Sequence, residues 1–242
     1  YAFYKCYSLT GSLIIPDSVT FLGSHAFEEC FGFNGSLNIS NSLSIIESYT
    51  FSKCSCFSQL KIGQNVTNIK YGAFSGCSKL TCHLIISNSV TEIGDYAFFY
   101  CKSLYGNLNI PNRVKSIGHY AFSQCNGMFG YLKIGNSVES IGNYAFLNCS
   151  NLIGPLIIPN SVTSLGDNAF DGCNGLNESL NIGNSLTKIG SNTFKGIESF
   201  DGYLNIGLNI EYIESNAFNK FNKLKGELKI PNSVLKIGSG AF

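Results

Sequence analysis

A phenylalanine returns at fixed intervals from one end of this 242-residue chain to the other. Phe3, Phe27, Phe51, Phe74, Phe98, Phe122, Phe146, Phe170, Phe194, Phe218 and Phe242 stand 24 residues apart, except for 23 between Phe51 and Phe74. Each mark opens the same pattern, seen whole from Ala145 to Gly166 as A-F-x-x-C-x-x-L-x-G-x-L-x-I-P-N-S-V-T-S-L-G. A repeat of this length with no interruption in composition is the signature of a solenoid, one coil per repeat. It predicts ten coils of 23–24 residues in one elongated, curved domain over 1–242, mostly β and irregular. Neither end carries an atypical capping repeat of the kind solenoids need, so the sequence reads as an excerpt of a longer chain.

Within a coil, Leu156 and Ile158 alternate with Pro155 and Ile157, the period-2 pattern of a strand with one buried face. A turn at Pro159-Asn160 leads to a second inward pair, Val162 and Leu165, and Gly166 then breaks the extended path. Stacking puts each strand parallel to its copy in the next coil, about 4.8 Å away, for a body on the order of 50 Å long. Identical side chains then line up in columns of Phe, Ile and Cys. A column of short polar residues (Asp17, Asn41, Gln64, Asn88, Asn112, Asn136, Asn160, Asn184, Asn232) marks the turn. Such residues bond to nearby backbone and tolerate left-handed conformations. Leu208 interrupts this column, which predicts a looser turn there.

The 23-residue interval exposes an underlying unit, Phe57-Ser58-Gln59-Leu60-Lys61-Ile62, of the L-x-x-L-x-I type. That unit, followed by the pattern of Ile158-Pro159-Asn160-Ser161-Val162-Thr163-Ser164-Leu165-Gly166 and Ala169-Phe170-Asp171-Gly172-Cys173, resembles the BspA-like (Treponema pallidum-type) leucine-rich repeats. The longer coils and the richness in Asn, Ile, Ser and Lys are similar to versions expanded in parasitic protists such as trichomonads. The resemblance covers the whole chain. It implies surface-exposed proteins of host-associated microbes, tied to adhesion and to binding of host matrix proteins, and no enzyme activity or cofactor.

Composition adds exclusions. A formal net charge of +1 with only 13% charged residues gives no electrostatic reason to expect nucleic acid or an anionic membrane as partner. No apolar run reaches the 18 or so residues of a spanning helix, so direct membrane insertion of this segment is not expected. His25, His83 and His119 are the only histidines. His25 and His119 read as near-equivalent exposed positions four coils apart, too far to share a metal or substrate. The acids, among them Glu28, Glu29, Glu47, Glu92, Asp95 and Glu139, read as scattered about one per coil. No known catalytic fingerprint occurs. The expectation is no enzyme, no metal and no cofactor.

Eight of ten cysteines stand three residues after a marker phenylalanine, from Cys6 to Cys173. Ile197 and Phe221 take that place in later coils, so the position reads as buried and apolar. Cys56 and Cys82 lie outside the column. Cys82 replaces the turn glycine found at Gly106, Gly130 and Gly154, which makes it the expected exposed thiol, with Cys56 beside it. If the chain is exported, these two pair with each other or with a partner. Glycosylation sequons occur at Asn34, Asn38, Asn65, Asn148 and Asn177, but 27 Asn and 40 Ser plus Thr predict 27 × 40/242, about 4.5, by chance. They are no evidence for secretion.

The outward residue of the strand lines the sheet face, the usual recognition surface of solenoids. Down the coils it reads Ile14, Asn38, Lys61, Ile85, Asn109, Lys133, Ile157, Asn181, Asn205 and Lys229. Ile, Asn and Lys recur three times with one Asn coil inserted, so a period of 71–72 residues overlies the 24. Tyr131 and Tyr203 add amphipathic aromatics. This face is the candidate binding surface for a protein or glycan partner, host extracellular matrix included. The expected setting is the cell surface or the secreted state. The alternative is a cytoplasmic structural or scaffold repeat protein, which unpaired thiols would favour. A second aromatic column, Tyr49, Tyr96, Tyr120 and Tyr144, precedes the Ala-Phe pair and reads as packing.

Overall fold

The structure is a computed structural model describing residues 1–242. The chain winds as a β-solenoid without helices, its short strands all parallel. Two strand series run along it. In coil order the first series is β1 (Gly11–Ile14), β2 (Phe33–Asn38), β4 (Gln59–Lys61), β7 (Leu108–Asn109), β9 (Leu132–Lys133), β11 (Leu156–Ile158), β13 (Leu180–Ile182) and β15 (Leu204–Asn205). The second is β3 (Ile45–Ile46), β5 (Asn68–Ile69), β6 (Glu92–Ile93), β8 (Ser116–Ile117), β10 (Ser140–Ile141), β12 (Ser164–Leu165), β14 (Lys188–Ile189), β16 (Tyr212–Ile213) and β17 (Lys236–Ile237). This second series forms where the sequence suggests only an inward pair before a glycine.

Register follows the repeat. Leu156, Ile157 and Ile158 face Leu180, Asn181 and Ile182 one coil on. The core is one cluster of 67 buried residues, threaded by the marker phenylalanines, whose rings stack with centroids 4.8–5.8 Å apart from Phe3 to Phe242. Offset aromatic stacks of this spacing add to area burial. Around each phenylalanine the backbone corners tightly. Residues two before and two after it have positive φ, as at Tyr120 (55°) and Gln124 (64°). The amide between them crosses to the next coil, Phe122 N–H donating to the Ala145 carbonyl at 2.8 Å.

The recurring glycine four residues before the phenylalanine suits this close stacking, although Glu47, Lys70 and Glu214 hold the position in three coils. A Cβ on Gly142 would lie 2.6 Å from the His119 nitrogen and 2.7 Å from the Gly118 carbonyl carbon.

Pairing along the first series is not continuous, contrary to the sequence-based expectation. It divides into β1-β2-β4, β7-β9 and β11-β13-β15, whereas the second series pairs without a gap from β3 to β12. The first interruption follows the 23-residue coil. Phe57 stacks on Phe33 and Gln59 pairs with Ser36, so Ser58 alone spans what Asn34 and Gly35 span one coil earlier. Leu84–Ile86 in the next coil form no strand, and a second interruption, between β9 and β11, separates coils of full length.

Candidate functional site

The outward positions of the first series are exposed where the alternation puts them. Ile14, Ile85 and Ile157 are 64%, 68% and 56% exposed, and Tyr131 and Tyr203 54% and 61%. Lys61, Asn109, Lys133, Asn205 and Lys229 are exposed too, while Asn38 and Asn181 are half-buried. Asn205 Nδ2 bonds the Asn181 side-chain oxygen one coil back. Lys229 lies 3.6 Å from Glu227. Between coils three and four the interrupted pairing opens a cleft of about 730 Å³, with Lys61 and Ile85 in its walls. Sequence reading passes over two further aromatics beside this surface, Tyr105 and Phe129. They stack with centroids 6.2 Å apart and are 42% and 63% exposed. Their signal was available: they head the same repeat column as Ile153.

Three side-chain ladders tie coil to coil. In the turn column five side-chain oxygens accept the backbone N–H of the counterpart one coil on: Asp17 from Asn41 at 2.8 Å, Asn41 from Gln64 at 3.0 Å, Asn112 from Asn136 at 3.1 Å, Asn160 from Asn184 at 2.8 Å and Asn184 from Leu208 at 2.9 Å. A second ladder precedes the phenylalanine column. Asp95 accepts from the His119 N–H at 2.7 Å, His119 Nδ1 from Asn143 at 2.9 Å, and Asn143 from Asp167 at 2.9 Å. In the third, each column thiol donates to the preceding coil's phenylalanine carbonyl, as Cys125 does to Phe98 and Cys149 to Phe122, both at 3.1 Å. Turn and core chemistry therefore account for the Asn, His and Cys columns.

His25 and His119 are not equivalent. His25 belongs to the tyrosine column, stacked between Tyr1 and Tyr49 at 4.6 and 4.8 Å, and its Nδ1 lies 2.5 Å from Glu28. The column continues from Tyr96 through Tyr120 to Tyr144 as a stack. His83 bridges to Tyr105 across the first series. No group of three or more His, Cys, Asp or Glu converges as a metal site would require. A groove of about 450 Å³ along the second series, unforeseen in the sequence, is lined by Lys70, Glu92, Asp95, His119 and a row of serines. Its charged groups are already paired, Lys70 with Glu92 at 3.2 Å and Asp95 with the His119 backbone in the ladder.

Cys82 is buried, 7% exposed, which corrects the expectation of an exposed thiol there. Coil three has no counterpart to the turn glycine, so the Cys82 side chain turns inward against the Leu60 backbone, and burial raises its thiol pKa. Cys56 is half-buried, with Lys79 Nζ 4.0 Å from its sulfur. All ten cysteines are free thiols. Burial also raises Cys101, Cys125 and Cys173 well above the ordinary range and pushes Cys149 up to about 12.

Among the sequons, Asn34 and Asn177 are exposed but accept from the Gly11 and Gly154 amides. Asn65 commits its Nδ2, the atom a glycan would occupy, to the Asn41 carbonyl at 2.9 Å. Asn148 is exposed at φ 56°.

No helix is long and apolar enough to cross a membrane. No curated protein matches the chain. Among solved structures, the T. pallidum leucine-rich repeat protein is 26% identical with a TM-score of 0.57, over 69% of this chain and 75% of that one. A leucine-rich repeat protein from Eubacterium ventriosum is 17% identical with a TM-score of 0.50, over 91% and 79%. A leucine rich cell surface protein from Faecalibacterium prausnitzii is 25% identical with a TM-score of 0.44, over 93% and 74%. A family model for the BspA type leucine rich repeat region matches residues 1–129, 81–197 and 128–242, and this chain, solenoid from end to end, belongs to that family.

Proposed function

We propose that the chain is a non-catalytic binding and adhesion module that engages a protein or glycan partner through the first-series sheet face. The observation carrying this reading is the set of large apolar side chains held half or more exposed along one face, Ile14 and Ile157 on strands and Ile85, Tyr131 and Tyr203 in line with them. Rows of exposed apolar groups rimmed by polar residues mark interaction sites. Aromatic and aliphatic anchors with lysines between them suit such a role. A cell-surface or secreted setting, with host matrix among the partners, follows from the resemblance to surface-exposed members of the family.

The test is adhesion of the purified chain to surfaces coated with matrix proteins or glycans, before and after joint substitution of Tyr131, Lys133 and Ile157 by serine. Adhesion should fall in a variant whose circular dichroism and melting are unchanged. Undiminished adhesion would remove the face from consideration. A cytoplasmic scaffold is the second reading, supported by the thiol ladder, which uses its cysteines as reduced hydrogen-bond donors.

A further inference from the structure

Charge is segregated over the four middle coils, Phe74 to Ala169. Their only carboxylates are Glu92, Asp95, Glu139 and Asp167, all in the second strand series or within two residues of it. Cations on that side are matched: Lys70 pairs with Glu92 and Lys115 with Glu139. The opposite side, which carries the first series and its lead-in turns, holds no Asp or Glu in any of the four coils. It carries Lys79, Lys102 and Lys133, with Arg113 in the turn between the two series, and none of them forms an ion pair. Lys102 instead lies 3.9 Å over the Tyr100 ring. The exposed apolar groups concentrate on the same side of the same coils: Ile85, Tyr105, Phe129, Tyr131, Ile153 and Ile157 are each 42–68% exposed.

We infer that the middle of the face receives an acidic segment of another protein that carries apolar side chains between its carboxylates. This rests on the binding-face reading above and names the partner's chemistry. Unmatched cations on a face whose four coils supply no carboxylate, with Glu178 of the following coil at its edge beside Gly154 and Tyr131, attract an anion and reject a basic partner, since like charges facing each other across an interface are costly. Charge alone would admit any polyanion. Aliphatic Ile85, Ile153 and Ile157 decide for a protein segment, because their exposed area is recovered only against apolar groups. The cleft beside Ile85 and Lys61 gives one end of such a segment a place to anchor.

The test uses three probes on the intact chain: a short peptide alternating Glu with Leu, one alternating Lys with Leu, and a heparin oligosaccharide. The Glu–Leu peptide should bind by fluorescence anisotropy, and more weakly as salt rises. Its affinity should fall about tenfold or more in Lys133→Glu, and also in a Phe129→Ser, Tyr131→Ser double variant. Both variants alter exposed positions and should keep the wild-type melting temperature. The Lys–Leu peptide and heparin should bind at least about tenfold more weakly. Failure of the Glu–Leu peptide to bind, equal binding of the Lys–Leu peptide, or affinity untouched by both variants overturns the inference. Heparin binding as tightly and losing affinity in the same variants also overturns it, while leaving the face as a binding surface.

Discussion

Asn184 Oδ1 accepts the backbone N–H of Leu208 at 2.9 Å, and Leu208 has no side-chain oxygen to do the same for the next coil. This run of the turn ladder ends there, beside an open cleft of about 500 Å³ that includes Leu208 and Pro231. Leu208→Asn restores the missing acceptor opposite Asn232 and replaces a side chain that is 68% exposed. The expected result is a gain of about 0.5–1.5 kcal/mol, measured by urea denaturation. Asn184→Leu, which breaks the same ladder one step earlier, should lose a similar amount.

Marker phenylalanines should differ by position. Phe122 is wholly buried between two stacked rings, so Phe122→Ala should cost about 3–5 kcal/mol. Phe3 is 45% exposed with one ring neighbour in the column, and its replacement should cost clearly less. Paired melts of the two variants check the order.

Gly142→Ala and Gly23→Ala test the steric account of the glycine column. The first places a methyl against the backbone of the preceding coil and should cost about 1–3 kcal/mol. In the second the nearest atom is on Phe21 at 3.8 Å, and stability should hardly change. Equal losses at both sites would show that helical winding, rather than coil contact, selects glycine.

Thiol chemistry should follow burial. Iodoacetamide at mildly alkaline pH should label native Cys6 and Cys56 first, while Cys101, Cys125, Cys149 and Cys173, inaccessible and with raised pKa, react only after unfolding. Peptide mass spectrometry reads this site by site. Rapid native labelling of Cys82 would contradict its inward orientation.

Acid should weaken one inter-coil ion pair in a defined direction. The hydrogen bond from Lys53, with the charges of Lys53 and Lys5, holds the Glu29 carboxyl below its ordinary value of 4.5. A carboxyl lowered in the folded state adds stability that is fully present above its unfolded value and is lost as pH falls through the lowered one. The melting difference between the wild type and Glu29→Gln should therefore be present near neutrality and close as pH drops below 4.5.

The columns were legible because a strict repeat turns sequence position into spatial position. The Phe, Ile and Cys columns, the parallel stacking and the exposure of Ile14, Ile85 and Ile157 all follow from period and alternation. Local departures were harder to read. Cys82 turns inward because its neighbour coil lacks one residue, an effect of the coil beside it and not of its own motif. The second strand series was hidden in two-residue pieces such as Ser140–Ile141, too short for any alternation to appear. Charge segregation was hidden by counting acids per coil instead of per face.

The unequal continuity of the two strand series has a mechanical consequence. Between coils three and four the second series stays hydrogen-bonded through β5 and β6 and the Phe51 and Phe74 rings stay stacked, while the first series has no strand pairing across that step. A rod bonded along one edge and open along the other resists bending unequally in the two directions. At this step the solenoid is tied along one edge only, beside the coil that lacks one residue.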